Sequence, residues 1–271
     1  MSDANPPLSD AQEREVEQHS PPSSKVIHTV VSQQGDDELD RPVRSLFWSA
    51  VAAGIAIMAS VSASGALYHY VPESGWKHVV VSLGYPLGFL IVILGRLQLF
   101  TEHTMVAVLP FARQPNGTNF RRVARLWSIV FIGNVSGAAA VAAFVVFARP
   151  QSGEVLGGML AVSSHLRGQA PLDLLLQGVP AGFLIASVAW IRSATQDSGF
   201  WVVAALTYAI ALCGFTHVIA GAAEAFLLLW SGAAPIGWVF GGFLAPALVG
   251  NILGGTGLFA VLAHAQVKEE L

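Results

Sequence analysis

Two short polar clusters interrupt otherwise apolar sequence, and they carry side chains that can do chemistry. Thr101, Glu102 and His103 lie in the stretch LQLFTEHT, and Thr216 and His217 lie in GFTHV. A histidine titrates near neutral pH, and ionisable residues within membrane-type sequence mark substrate or proton pathways. These residues show no close metal-ligand spacing, and the chain carries no cofactor fingerprint. We therefore expect neither a metal site nor a cofactor.

Both clusters also have plainer interpretations. His217 is either a histidine on a pathway through the membrane or a satisfied polar residue in a helix break. Thr101 either holds the substrate or caps a half-helix, which is a common role for threonine. Glu102 and His103 either cap that half-helix at its positive end or act as a gate.

Further polar residues belong to the same helix-break regions. Glu224 either pairs with a polar neighbour, contacts another subunit or lines a pore. Arg96 is expected to pair with Glu102 or with Glu224. The full set of gate or helix-break candidates is Gln98, Glu102, His103, Thr216, Glu224 and Arg96.

Composition divides the chain into two regions. The 271 residues are 54% hydrophobic and only 11% charged, whereas soluble domains contain about 25% charged residues. Residues 1–44 hold nine acidic and four basic residues, and such a polar segment buries too little apolar surface to order itself. We therefore predict a disordered tail at 1–44 and a six-span membrane domain at 45–271. The basic residues are few and dispersed, which argues against nucleic-acid binding.

Long uncharged runs predict membrane spans, because a bilayer core needs about 20 apolar residues per helix. Residues 45–72, 126–148, 198–223 and 225–267 contain no Asp, Glu, Lys or Arg. We place six spans at about 46–70, 77–110, 122–148, 172–194, 199–230 and 238–266. The second and fifth are too long and too interrupted to be straight helices. The fold class is therefore an all-α polytopic membrane protein with broken second and fifth helices.

The distribution of basic residues predicts the orientation. Six spans put both termini on one side of the membrane. Eight basic residues lie near that side: Arg41, Arg44, Arg113, Arg121, Arg122, Arg125, Arg192 and Lys268. Three lie on the other: Lys77, Arg149 and Arg167. The positive-inside rule then places both termini in the cytoplasm.

Similar motifs recur in the two halves of the chain. Phe-Thr at 100–101 recurs 115 residues later, and IGNVSGA at 132–138 is echoed 117 residues later by VGNILGG at 249–255. Three spans per half make the halves inverted, and inverted repeats with broken helices place a pathway near the midplane. The Gly-Asn-x-x-Gly segments either pack helices closely or contact substrate. We favour packing by Gly133, Asn134, Gly137, Gly250, Asn251 and Gly254.

The ordered set of motifs resembles the formate/nitrite transporter family. LFT after the second span, GN..G in the third, GF.H in the fifth and GN..GG in the sixth match in order across residues 45–266. The strings THVIAGAAE, LFTEHT and AHAQ resemble a divergent bacterial inner-membrane subgroup of that family. The resemblance implies an aquaporin-like fold and a homopentamer with one pore per subunit. It also implies passage of small monovalent acids or anions such as formate or nitrite through the lipid bilayer.

The resemblance also assigns roles by position. His217 corresponds to the central pore histidine, and Thr101 to the threonine that faces it. The vestibule lysine falls near Leu166, where Arg167 is the expected replacement. The apolar constrictions and the outer aromatic position fall on Phe89, Leu99, Phe100, Ile185, Ile210 and Tyr85.

The chain departs from the family pattern at several polar positions. Gln98 stands where an acidic residue is usual, and Thr216 stands where the family has a glutamate before the central histidine. Gly182 and Gly221 replace asparagines. The usual anion-attracting pattern is therefore eroded.

Three functions compete on this basis. The first is a channel or transporter for a small monovalent acid or anion, in which the pore histidine couples the anion to a proton. The second is a pore for water or a similar neutral solute, which the lost polar residues make credible. The third is a non-conducting membrane protein whose acidic N-terminal tail binds a partner. An enzyme is the least favoured class, since no nucleophile-base motif or pair of catalytic carboxylates occurs.

Overall fold

A computed structural model describes residues 9, 21–195 and 198–269. These residues form a bundle of helices joined by short turns, and we number the helices in chain order. They are α1 Ser24–Asp40, α2 Val43–Tyr70, α3 Lys77–Leu94, α4 in two parts (Phe100–Val106 and Val108–Arg113), α5 Gly117–Ala148, α6 Gly153–Ser164, α7 Pro171–Ala194, α8 Gly199–Leu212, α9 Val218–Trp230 and α10 Trp238–Val267. A 3-10 turn, His165–Gly168, follows α6.

The predicted pattern of six spans is confirmed. Within the described residues, α2, α3, α5, α7 and α10 are long and apolar enough to cross a bilayer. The second span continues from α3 through a break into α4, and the fifth consists of α8, a second break and α9. Both broken spans fall where the sequence predicts them.

The two breaks have nearly the same backbone conformation. Arg96 and Gly214 both have positive φ, 54° and 66°. Leu99 and His217 cap the helices that follow, with φ/ψ of −105°/123° and −102°/123°. Non-helical backbone at membrane depth is stable only where protein or a cavity surrounds it, and both capping residues are buried.

One asparagine in each half supplies the hydrogen bonds that the helix breaks leave open. Asn134 of α5 accepts a bond from Phe100 N at 2.9 Å, and its amide donates to Gln98 O and Ala50 O at 2.8 Å each. Both asparagines of the repeated motif are fully buried. Without such a partner, each buried backbone group costs about 1–3 kcal/mol.

The second asparagine repeats this pattern in the other half. Asn251 of α10 accepts a bond from Val218 N at 2.9 Å. Its amide donates to Thr216 O at 2.8 Å and to Gly178 O at 2.9 Å. The same three bonds, made by corresponding groups, show that the halves are structural repeats.

The asparagine contacts correct the register of the repeat. Gln98 corresponds to Thr216 and Leu99 to His217, an offset of 118 residues. The Phe-Thr pairs at an offset of 115 residues are therefore not equivalent positions, and that part of the prediction is wrong. Side chains at a break are free to differ, whereas the buried asparagines must satisfy fixed backbone groups.

The two positive-φ positions give a matched test of backbone strain. Gly214→Ala introduces a Cβ into a left-handed conformation and is expected to lower the free energy of unfolding by about 1 kcal/mol. Arg96→Ala has no such cost, because Arg96 already has a Cβ in the same conformation. Thermal unfolding of the purified protein in detergent measures both. A smaller loss for Gly214→Ala than for Arg96→Ala would contradict the expectation.

The glycines of the repeated motifs lie where helices approach most closely. A Cβ on Gly137 would lie 2.2 Å from Val51 O of α2, and one on Gly133 would lie 2.6 Å from Ala50 Cβ. In the other half, a Cβ on Gly250 or Gly254 would lie 2.2 Å from Leu175 O or 1.9 Å from Val179 O of α7. Small residues therefore set the spacing of α2 with α5 and of α7 with α10.

The prediction of a disordered tail at residues 1–44 is wrong for residues 24–40. Residues 24–40 form α1, whose apolar side chains Ile27, Val31 and Leu39 are buried. The composition averaged over residues 1–44 is polar, so it did not reveal this amphipathic segment. Residues 1–8 and 10–20 of the predicted tail lie outside the described residues.

Ion pairs hold the acidic side of α1 against the rest of the protein. Asp36 accepts a bond from Arg113 at 2.7 Å, and Asp40 accepts one from Arg122 at 2.5 Å. Arg125 also donates to the backbone oxygen of Arg41 at 2.6 Å. The acidic residues that suggested a solvated tail therefore dock onto basic residues at the ends of α4 and α5.

A histidine pair joins α1 to the end of α10. His28 Nε2 lies 3.2 Å from His264 Nδ1, and the His28 ring contacts Trp190 with centroids 6.5 Å apart. Burial lowers the pKa of His28 below its usual 6.5, and charge on His264 and Arg113 lowers it further. The docked form of α1 therefore favours an uncharged His28.

This contact makes α1 docking dependent on pH. Because the pKa of His28 is lower when α1 is docked, docking is strongest above pH 6.5 and weakens as the pH falls below that value. We expect backbone amides of residues 24–40 to exchange faster at low pH, after correction for intrinsic exchange. His28→Gln cannot titrate and should remove the difference. Equal protection of α1 at both pH values in the native protein would contradict the expectation.

Candidate functional site

The two polar clusters meet at the centre of the bundle. His217 accepts a bond at Nδ1 from Ala220 N, 3.1 Å away, which caps α9. In a neutral ring the proton is then on Nε2, which donates to Thr101 Oγ1 at 2.7 Å. Both side chains are almost completely buried. The hydroxyl hydrogen of Thr101 is not used in this bond.

Aromatic rings cover one side of this pair. Phe89 meets the His217 ring edge to face, with centroids 4.9 Å apart, and Tyr85 lies 5.1 Å from Phe89. Phe89 is fully buried, whereas Tyr85 lines a cavity. The order Tyr85, Phe89, His217, Thr101 thus leads from a cavity into the core.

The other predicted constriction residues are also buried, but they pack in different ways. Leu99, Ile185 and Ile210 are fully buried. The Phe100 ring is directed toward α5, where it contacts Trp127 and Phe131 with centroid distances of 5.7 and 5.2 Å. Leu99, Phe100, Ile185 and Ile210 therefore belong to one buried apolar core.

One cavity reaches His217 and extends to the α2–α3 and α6–α7 turns. It has a volume of about 530 Å³, and we call it the Glu224 cavity. Glu224 lies on its wall with only 6% of its surface exposed. The other polar groups on its wall are Ser64, Tyr68, Ser74, Lys77, His78, Ser82, Tyr85, His165, Thr216 and His217.

A second cavity is bordered by Gln98, Glu102 and His103 and has a volume of about 710 Å³. We call it the Glu102 cavity, since Glu102 lies on its wall and its carboxylate is 3.9 Å from Arg192. Helix α1 contributes Asp37 and Glu38 to the same wall. Glu102 occupies the first turn of α4, but its side chain makes no capping hydrogen bond. The carboxylate therefore faces the cavity and Arg192.

Internal hydrogen bonds hold the remaining break residues, although His103 Nδ1 is buried without a partner among the described residues. His103 Nε2 donates to Gln98 Oε1 at 2.7 Å, and both residues line the Glu102 cavity. Thr216 donates to Gln177 Oε1 at 3.0 Å, and its backbone N donates to Gln177 O at 3.2 Å. Gln98 and Thr216 are equivalent in the repeat, and each thus forms a side-chain hydrogen bond near a helix break.

Among the described residues, Arg96 forms neither of its predicted ion pairs, with Glu102 or with Glu224. Arg96 lines the Glu102 cavity, where Arg192 is the ion-pair partner of Glu102, and Glu224 lies in the other cavity. Arg167 packs over the Trp238 ring at 5.0 Å and is not among the wall residues of the Glu224 cavity, although Leu166 is. Sequence position alone does not fix the direction of a long side chain.

The two glycines that replace family asparagines have structural reasons to be small. A Cβ on Gly182 would lie 2.2 Å from Asn251 O, and a Cβ on Gly221 would lie 2.1 Å from Phe243 Cζ. The Phe243 ring therefore occupies the space beside Gly221 on the wall of the Glu224 cavity.

Several site residues were not predicted from the sequence. Gln177 and Arg192 lie in α7, which carries no motif, and Phe243 lies in α10 outside its repeated motif, so only their contacts reveal them. Asn134 and Asn251 could be recognised from the sequence, because an asparagine within apolar sequence in each half must find hydrogen-bond partners. Among the described residues, no group of three or more His, Cys, Asp or Glu is arranged to hold a metal ion.

These features define an inverted-repeat membrane protein with a buried polar pair between two cavities. Its sequence matches the formate/nitrite transporter family over residues 25–265. The chain therefore belongs to the formate/nitrite transporter family.

Relatives and solved structures agree with this assignment. The chain is 32% identical to the inner membrane protein YfdC of Escherichia coli, over 94% of this chain and 82% of that protein. It is 27% identical to the uncharacterised transporter YrhG of Bacillus subtilis, over 66% and 69% of the two chains. The fold resembles an FNT family ion channel with a TM-score of 0.76 at 17% identity, covering 90% of this chain and 99% of the other. It also resembles a pentameric formate channel with bound formate, with a TM-score of 0.71 at 19% identity, over 84% and 98%.

Proposed function

We propose that this protein conducts a small monovalent acid or its anion, such as formate or nitrite, between the Glu224 and Glu102 cavities. The observation that carries the proposal is the buried contact between His217 Nε2 and Thr101 Oγ1. Thr101 is adjacent in sequence to Glu102, which lines the Glu102 cavity, and His217 lines the Glu224 cavity. We therefore place the permeation route past this pair.

The chemistry of the pair suits such a solute. An anion that enters an apolar constriction loses its hydration, which is costly unless polar groups replace the water. The Thr101 hydroxyl can donate to an oxygen of the solute while still accepting from His217. If His217 itself passes a proton, its Nδ1 must first release the Ala220 N–H that it now accepts. Proton coupling through His217 therefore requires a change at the start of α9.

Similarity supports further parts of the proposal. One related structure is a pentameric formate channel, and one relative is an inner membrane protein. We infer a homopentamer in a bacterial inner membrane with both termini in the cytoplasm. In that orientation the Glu102 cavity, which α1 borders, opens to the cytoplasm, and the Glu224 cavity opens to the outside.

Reconstitution into liposomes tests the proposal. Uptake of labelled formate and of nitrite is compared between vesicles with and without the protein, while stopped-flow light scattering measures water permeability. We expect protein-dependent uptake of at least one of the two acids. Water permeation without acid uptake would instead support a neutral-solute pore. A stable oligomer that passes neither would support a non-conducting membrane protein.

A further inference from the structure

Arg96 has a backbone conformation that suits glycine better than arginine. Its φ is 54°, and the equivalent position of the other break is occupied by Gly214, with a φ of 66°. Glycine adopts positive φ freely, whereas any residue with a Cβ is strained there. Strained residues are found where the surrounding structure or a function requires them. The presence of arginine at this position therefore points to a role for its side chain.

The guanidinium of Arg96 has no partner in the part of the chain that the structure describes. The residue borders the Glu102 cavity, yet its side chain forms no salt bridge or hydrogen bond with the described residues. A guanidinium presents a planar fork of N–H donors that matches a carboxylate. The cavity thus offers an unused site for a carboxylate at the break of the second span.

One acidic group on the same wall is also unpaired. Glu102 is 3.9 Å from Arg192, and Glu38 is paired with Arg41 at 3.1 Å. Asp37 of α1 lines the cavity as well, but it forms no salt bridge within the described residues. The wall therefore presents one free cation and one free anion, which do not pair with each other.

His103 adds a buried acceptor to this wall. Its side chain lines the cavity and is only 4% exposed. Nε2 donates to Gln98 Oε1, so Nδ1 is the acceptor of a neutral ring. This Nδ1 is buried and has no partner among the described residues. A buried acceptor without a donor is unfavourable, and an N–H that reaches this ring from the cavity would supply the missing bond.

These groups discriminate between classes of small ligand. The charged residues of the wall are three acids and two arginines: Asp37, Glu38, Glu102, Arg96 and Arg192. A simple anion therefore meets net negative charge, and a simple cation meets an unpaired guanidinium. A zwitterion instead brings a carboxylate for the guanidinium and ammonium N–H donors for the free acid and the histidine. The cavity volume of about 710 Å³ is typical of small-molecule sites.

We propose that the Glu102 cavity binds a small zwitterionic amino acid, with its carboxylate on Arg96 and its ammonium group between Asp37 and His103. The inference goes beyond the proposed function, because it assigns a ligand of a different class to a site apart from the Thr101–His217 pair. Since Asp37 belongs to α1, the bound molecule links α1 to the break in the second span.

Equilibrium binding to the purified full-length oligomer in detergent tests this inference. The probes are labelled glycine and labelled γ-aminobutyrate, two zwitterions of different length. We expect saturable binding of at least one probe. Acetate and methylammonium each carry only one of the two charges and should compete at least about tenfold less well than the unlabelled zwitterion.

The assay involves no transport, so its outcome does not depend on the proposed function. Absence of saturable binding of both zwitterions would overturn the inference. Competition by acetate or by methylammonium as strong as that of the zwitterion would also overturn it, because the site would then recognise a single charge.

Arg96→Gly removes the guanidinium and relieves the backbone strain. Binding of the zwitterion should weaken by at least about tenfold, while the midpoint of thermal unfolding should not fall. Arg149→Gly is the matched control, because Arg149 also has a positive φ, 50°, and lines neither cavity. It should leave binding unchanged. Native affinity in a folded Arg96→Gly oligomer would overturn the inference.

Asp37→Asn tests the other end of the ligand. Loss of the negative charge should weaken binding of the zwitterion and strengthen binding of acetate, each by several-fold. Asp173→Asn makes the same chemical change on an exposed residue that lines neither cavity and should alter neither affinity. An Asp37→Asn oligomer with native affinity for both probes would contradict the assignment of a zwitterion.

Discussion

His217→Ala is expected to reduce formate or nitrite uptake by about 10- to 100-fold. The substitution removes the imidazole that positions the Thr101 hydroxyl, and the loss of one buried polar contact to a desolvated solute corresponds to about 1–3 kcal/mol. Uptake into liposomes, normalised to the amount of folded oligomer, measures the effect. His69→Ala is the matched control, because His69 is exposed at the end of α2 and lines neither cavity.

A second variant, His217→Asn, separates a structural from a pore role for His217. The imidazole also caps α9 through Ala220 N, so some loss of stability is expected. His217→Asn can keep a side-chain acceptor for the cap while it removes the imidazole. If His217→Asn restores thermal stability but not uptake, the imidazole acts in the pore. Full uptake by His217→Ala would contradict the proposed path.

Asn251→Leu is expected to cause the largest loss of stability, about 3–5 kcal/mol, because it leaves buried groups unpaired at a helix break. Val218 N, Thr216 O and Gly178 O would all lose their partner. Leucine has the same number of side-chain heavy atoms with the same branching, so the loss of hydrogen bonds is the main chemical change. The midpoint of thermal unfolding in detergent, followed by loss of the folded oligomer, measures it.

The repeat provides a control for this second prediction. Asn134→Leu removes the corresponding three bonds in the other half and should cost a similar amount. Asn119→Leu changes an asparagine whose side-chain bonds, to Gln114 O and Arg122, are exposed or only partly buried, and should cost much less. An Asn251→Leu protein as stable as Asn119→Leu would show that the asparagine does not hold the break.

The sequence predicts the spans and the breaks because both have strong physical signatures. Uncharged runs mark segments that must lie in lipid, and polar residues within them mark places where protein must bury irregular backbone. The repeated Asn134 and Asn251 motifs correctly indicate two halves. The exact register does not follow from Phe-Thr, since Thr101 and Thr216 occupy different positions relative to their breaks.

Features that depend on long-range contacts are less predictable. Helix α1 has the composition of a solvated tail, and its order comes from partners such as Arg113 and Arg122, which are distant in sequence. The ion pair of Glu102 with Arg192 joins two halves of the chain, so sequence offered only Arg96 as a neighbouring partner. The orientation of Glu224 toward its cavity likewise depends on the rotation of α9 about its own axis, which composition does not determine.

The most direct test of the central claim is a cryo-electron microscopy map of the oligomer in a lipid nanodisc with saturating nitrite. The account predicts density for nitrite, within hydrogen-bond distance of Thr101 Oγ1, on the route that joins the Glu224 and Glu102 cavities. A map with nitrite bound only outside this route, and with the Thr101–His217 contact enclosed by side chains with no path to either cavity, would contradict it.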